Sequence, residues 1–75
     1  MILYVEHTDT SKQIIKCNAI EDCGEYLKVF TDYGSRNILK FGHSGILGYT
    51  PGIASYQLDG YPHVVVKQND TKENN

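Results

Sequence analysis

The sequence predicts an all-β protein, a small, strongly bent antiparallel meander or barrel of five to seven short strands. Two observations carry this. Gly24, Gly34, Gly42, Gly45, Gly52 and Gly60 punctuate the chain at intervals near ten residues, with short apolar runs between them, the spacing of turns in an all-β domain. No segment keeps a 3.6-residue apolar period, and the β-branched and aromatic residues suit strands.

Taken in order, a first strand is expected over 2–7, with a turn through Thr8-Asp9-Thr10-Ser11 into a second strand over 12–20. Glu21-Asp22-Cys23-Gly24 reads as a type I turn whose glycine takes the left-handed bulge position. A third strand follows over 25–31. Thr31-Asp32-Tyr33-Gly34 repeats that chemistry and leads to a fourth strand over 36–41. These turns pair Ala19 with Leu27, Cys17 with Val29, Leu27 with Leu39 and Val29 with Asn37. They gather Ile15, Cys17, Ala19, Leu27, Val29, Leu39 and Phe41 on one face, the expected core.

In 42–52, Ile46 and Leu47 are expected to form a short strand or bend. Pro51-Gly52 suits the centre of a type II turn. Leu58-Asp59-Gly60-Tyr61 is a two-residue hairpin signal joining strands over 53–58 and 61–67, with Gln57 facing Pro62 and an edge on the outer side of the second strand. Residues 1–68 are expected to form one all-β domain. Residues 69–75 are polar, without apolar side chains, and read as a disordered tail. Small Sm-like and OB-type barrels are the nearest architectures, by fold analogy alone.

Composition bounds function. The chain has 75 residues and a net charge of −2, so no global charge draws it to nucleic acid or an anionic membrane. A core of this size supplies only about 3–5 kcal/mol, which favours a homo-oligomer or another protein partner. No apolar run approaches the roughly 20 residues of a membrane span. Without a basic and apolar leader, the expectation is a cytoplasmic protein with reduced thiols, in which the Asn69-Asp70-Thr71 sequon has no role.

Chemical motifs are sparse. Cys17 and Cys23, five residues apart, do not have a usual zinc-ligand spacing. Gly42-His43-Ser44-Gly45 lacks the second glycine of a nucleophile elbow, because Ile46 stands there, and the large α/β sheet that motif needs. The same four residues fit the glycine loop of KH domains, but no helix flanks them. The glycines have neither the spacing nor the lysine of a phosphate loop. The expectation is no catalysis, no cofactor and no metal.

The second face of the predicted meander is the candidate site. Four of the seven basic residues, Lys16, Lys28, Arg36 and Lys40, lie in the central segment. Alternation sets them beside Tyr26, Phe30 and Ile38, with Lys16 opposite Phe30, Phe30 opposite Arg36 and Tyr26 opposite Lys40. Aromatics interleaved with cations suit cation–π contact. They fit a protein interface or, alternatively, single-stranded nucleic acid or a small anionic ligand such as a nucleotide. The binding residues are therefore expected to be Lys16, Tyr26, Lys28, Phe30, Arg36, Ile38 and Lys40. The function expected is that of a non-catalytic binding module: an adaptor, an inhibitor or an oligomeric interaction domain.

Overall fold

The computed structural model describes residues 1–68; the tail expected over 69–75 lies outside the described residues. The strands are β1 (Ile2–His7), β2 (Lys12–Lys16), β3 (Ala19–Asp22), β4 (Tyr26–Thr31), β5 (Gly34–Leu39), β6 (His43–Gly45), β7 (Gly48–Thr50), β8 (Ile53–Leu58) and β9 (Val64–Val65). They form three antiparallel sheets, ordered β2-β1-β8-β9, β3-β4-β5 and β6-β7. The all-β class and the bent meander are as expected, while among the described residues the ladder does not close into one barrel.

The bend lies at Cys17-Asn18, and it divides the expected second strand. Up to Cys17 the chain follows β1, with Cys17 N–H donating to Met1 O (2.9 Å); from Asn18 it follows β4, with Asn18 N–H donating to Phe30 O (2.8 Å). One continuous segment therefore serves two sheets, and their inner faces enclose the core. β1 and β2 contribute Leu3, Val5 and Ile15. The bend contributes Cys17, and β4 and β5 contribute Leu27, Val29 and Ile38. Ile53, Tyr56 and Val66 come from β8 and the chain after β9.

The expected registers are corrected at three hairpins. The β3–β4 loop is Gly24-Glu25, not Asp22-Cys23. Cys23 N–H donates to Tyr26 O (2.9 Å), and Gly24, at φ +86°, holds the first central position. Ile20 therefore faces Val29, and Ala19 faces Phe30. The β4–β5 loop is the two residues Asp32-Tyr33, with Thr31 opposite Gly34. Thr31 Oγ1 accepts from Tyr33 N–H (3.1 Å) and donates to Gly34 O (2.8 Å). A one-residue slip turns every side chain over. Ile38 is thus core and Leu39 is 43% exposed, the reverse of expectation. In the third hairpin Tyr56 faces Val64 and Ser55 faces Val65, one residue from the expected register. β4 itself has its expected inner face, Leu27 and Val29. Phe41 packs against the core only partly buried.

The two large sheets meet at a tight backbone junction. Ile53 N–H donates to Lys40 O (2.9 Å). The Gln68 amide donates to Lys40 O (2.7 Å) and Ile53 O (2.6 Å) and accepts from Gly42 N–H (3.0 Å). The Gly52 carbonyl accepts from Thr8 N–H (3.0 Å) and His7 Nδ1 (3.2 Å), and His7 Nε2 lies 2.7 Å from the Gln13 amide. A Cβ on Gly52 would stand 2.5 Å from both Gly42 N and Lys40 O. Gly52 does not have the positive φ of the expected type II turn; glycine is needed there because backbones touch.

Gly52→Ala should therefore lower stability by about 1–3 kcal/mol, the usual cost of overpacking. Gly45→Ala, where an added Cβ meets nothing within 4 Å, should be nearly neutral. Urea denaturation of both variants compares them directly.

Candidate functional site

The seven residues expected to form one binding face do not share one. Tyr26, Lys28 and Phe30 alternate along β4 and point outward, away from Leu27 and Val29. Lys28 Nζ lies 5.5 Å from the centroid of the Phe30 ring. Their cross-strand partners differ from expectation. Phe30 faces Ala19 and Ser35, Tyr26 faces Leu39, and Lys28 faces Glu21 and Asn37. Glu21 brings a carboxylate opposite the only cation of this stripe. The neighbouring Cys23 side chain holds the Tyr26 hydroxyl above its ordinary pKa. The two thiols are free and apart in environment, Cys17 buried and Cys23 at the hairpin turn.

Arg36 and Ile38 fall on the other side of the sheet because the β4–β5 loop is one residue tighter than predicted. Ile38 faces Leu27 and is core, so it is unavailable to a partner. Lys40 reaches across the end of the sheet, and its Nζ sits 2.9 Å from Asp22 Oδ1, with the lysine side chain only 13% exposed. That ammonium, with Gly24 N–H as a second donor, holds the Asp22 carboxyl below its ordinary pKa. Lys16 belongs to β2, in the other sheet, opposite Ile2. It lines a groove of about 400 Å³ shared with Arg36 and the exposed Tyr33. Two of the seven residues thus meet across a corner of the molecule, and three share the outer face of β4.

The opposite corner holds a more apolar site. β3 is an edge strand, and the β8–β9 hairpin ends the other sheet; between them lies a cleft of about 510 Å³. Ile20, Tyr56, Leu58 and Val64 form its floor, and Met1, Ala19, Tyr61 and Pro62 its rim. Burial raises the Tyr56 hydroxyl pKa. No lining side chain carries a carboxylate, ammonium or guanidinium. The expected core included Ala19. With β3 turned over, Ala19 lies at the rim and Ile20, opposite Val29, on the floor. The sequence signal for this cleft was the surplus of apolar residues on both sides of the last hairpin.

A third feature is the β6–β7 arm. Its strands pair only with each other, with Ser44 opposite Tyr49 and Gly45 opposite Gly48. The two-residue loop at its end is Ile46-Leu47, both fully exposed. Burying each would be worth about 1.5–3 kcal/mol. The short strand or bend expected at Ile46 and Leu47 is instead the tip of a projecting hairpin.

Compared with known families, with curated proteins and with solved structures, the chain gives no match. Among the described residues no helix is long and apolar enough to cross a membrane.

The Asp22–Lys40 pair sets a pH dependence. A carboxyl whose pKa is lower folded than unfolded stabilises the fold above its unfolded value, and that contribution is lost as pH falls through its folded value. Asp22→Asn should therefore be less stable than wild type at neutral pH, with the gap closing in acid below the ordinary carboxylate range. Thermal melts of both proteins from pH 7 to pH 2 measure it.

Proposed function

We propose that this protein is a non-catalytic binding module that engages another polypeptide in the cleft between β3 and the β8–β9 hairpin. The observation that carries the reading is the conjunction of an apolar cleft without charged side chains with a strand edge beside it. An extended segment added along β3 would satisfy backbone groups at that edge and send alternate side chains toward Ile20, Leu58 and Val64. Two or three aliphatic side chains, each worth about 1.5–3 kcal/mol, would offset much of the roughly 4–15 kcal/mol cost of association. Edge hydrogen bonds would add to this.

Random peptides displayed on phage and selected on the protein should yield segments with apolar residues at alternate positions. Ala19→Arg places a charged, bulky group at the rim of the cleft from an exposed position, so it should fold normally and bind the selected peptides at least tenfold more weakly. Selected peptides that bind both proteins equally would place recognition elsewhere.

A second reading has its own observation, the meeting of Lys16 and Arg36 in one groove beside Tyr33. This corner would take an anionic ligand, a nucleotide or single-stranded nucleic acid, with Tyr33 as a stacking platform. Anisotropy of a labelled single-stranded oligonucleotide should then show affinity falling steeply between about 50 and 200 mM salt. Lys16→Gln and Arg36→Gln should each flatten that slope. A salt-independent signal, or none, would exclude it.

A further inference from the structure

β2 pairs with β1 on one side only, and the ladder fixes which of its backbone groups are left over. At one end the Met1 ammonium donates to Cys17 O (3.0 Å) while Cys17 N–H donates to Met1 O (2.9 Å). At the other, His7 N–H donates to Ser11 O (2.8 Å). Alternation between these ends makes Leu3–Ile15 and Val5–Gln13 the bonded pairs and turns the N–H and C=O of Lys12, Ile14 and Lys16 away from β1. Among the described residues no other strand takes them up. The same three residues point their side chains to the outer face, away from buried Ile15, and Ile14 is 70% exposed. The open edge therefore reads cation, apolar, cation.

Space lies beside that edge. The groove of about 400 Å³ runs along Ile14, Ile15 and Lys16, with Arg36 on its other wall and no Asp or Glu lining it. Among the described residues Lys12, Lys16 and Arg36 form no ion pair.

We propose that the β2 edge takes an extended acidic segment of another polypeptide as an added strand, with an acidic, an apolar and an acidic residue at alternate positions opposite Lys12, Ile14 and Lys16. This rests on the reading of the Lys16–Arg36 corner as an anion site and makes the anion a carboxylate carried on a peptide.

Charge selects the occupant. Lysine on an edge strand ordinarily guards it against pairing with its own kind. A second copy paired about Ile14 in a two-fold ladder would set lysine against lysine at both ends, which is unfavourable. Carboxylates at those two places are favourable for the same reason. A nucleic acid strand has no alternating donors and acceptors to match the edge, and few cations are there to offset its phosphates in a chain of net charge −2. An added peptide strand satisfies the edge and the cations together. The Lys16 end should dominate, because Lys12 already has Glu6 opposite it whereas Lys16 has Ile2 and shares its groove with Arg36.

The probe is a capped seven-residue peptide with glutamate second and sixth, valine fourth and threonine elsewhere, which reads the same in either strand direction. Binding is followed by anisotropy and by residue-resolved amide hydrogen exchange. In the free protein the Lys12, Ile14 and Lys16 amides should exchange faster than those of Gln13 and Ile15. Saturating peptide should slow those three and leave β3 unchanged. Lys16→Glu alters an exposed side chain, so it should keep the wild-type circular dichroism spectrum and weaken binding by about tenfold, as like charges brought together do. Lys12→Glu should weaken it less, and Lys16→Gln replaces Lys16→Glu should the latter fold poorly. A peptide with lysine in place of both glutamates should not bind. Equal binding of the two peptides overturns the proposal, as does protection at β3 in place of β2. If the peptide does not bind but a single-stranded oligonucleotide does, with a salt dependence that Lys16→Gln flattens, the added strand is wrong and the anion site stands. If neither binds, both are wrong.

Discussion

Three backbone segments and the Gln68 side chain converge within hydrogen-bonding distance at Gly52, and the rest of the architecture depends on that approach. The Gly52 carbonyl takes up Thr8 N–H and the His7 ring, the peptide after it bonds to Lys40, and Gln68 spans Lys40, Gly42 and Ile53. These contacts tie the end of β5 to the start of β8, and so one sheet to the other. They also fix the base from which the β6–β7 arm leaves. Paired polar groups are a condition for backbone to be buried at all. Here a single glutamine side chain supplies three of the partners, and a glycine makes the room.

The second constraint is the shared segment 12–22. Because it pairs with β1 before Cys17-Asn18 and with β4 after it, the sheets splay at two diagonal corners. The corner beside β3 exposes apolar floor residues. The corner beside β2 brings together Lys16, Arg36 and Tyr33. The two corners differ in chemistry because alternation gives them different faces: inward-facing Ile20, Leu58 and Val64 at one, strand ends and a hairpin turn at the other. A core of ten buried apolar residues cannot cover both.

Strand existence and the inner face of β4 were legible because Leu27 and Val29 alternate with polar or amphipathic neighbours and because glycines mark every hairpin after the first, where Thr10 takes the positive φ. Register was not legible, and the reason is local. A glycine with positive φ serves equally as a bulge residue after a longer turn or as a central residue of a tight one. Gly24 is the central residue of a tight loop, whereas Gly34 follows the two-residue loop Asp32-Tyr33, and the sequence alone does not separate the two. The side chains that decide are Asp22, whose carboxylate accepts from Gly24 N–H (2.9 Å), and Thr31, which caps the Asp32-Tyr33 loop. Each error moved a neighbouring strand by an odd number of residues, which exchanged Ile20 for Ala19 and Ile38 for Leu39. Register divided the candidate face at β5, where Arg36 and Ile38 changed sides while Tyr26, Lys28 and Phe30 kept theirs, and the bend at Cys17-Asn18 carried Lys16 into the other sheet.

The uncharged stretch from Phe41 to Leu58 shows how far composition can be read. Six of its residues are β8, a central strand whose Ile53 and Tyr56 are core and for which the absence of charge has an internal reason. Residues 43–50 are the arm, where the same absence has none: Ile46 and Leu47 are fully exposed. An edge or tip that is to remain solvated ordinarily carries lysine, proline or another polar residue against unwanted association, and this tip carries none. Exposed apolar side chains lie at that tip and beside the β3/β8–β9 cleft, but also at Tyr4, Ile14, Tyr33, Leu39 and Val65, so the surplus that the small core cannot absorb is spread over both large sheets as well as the arm.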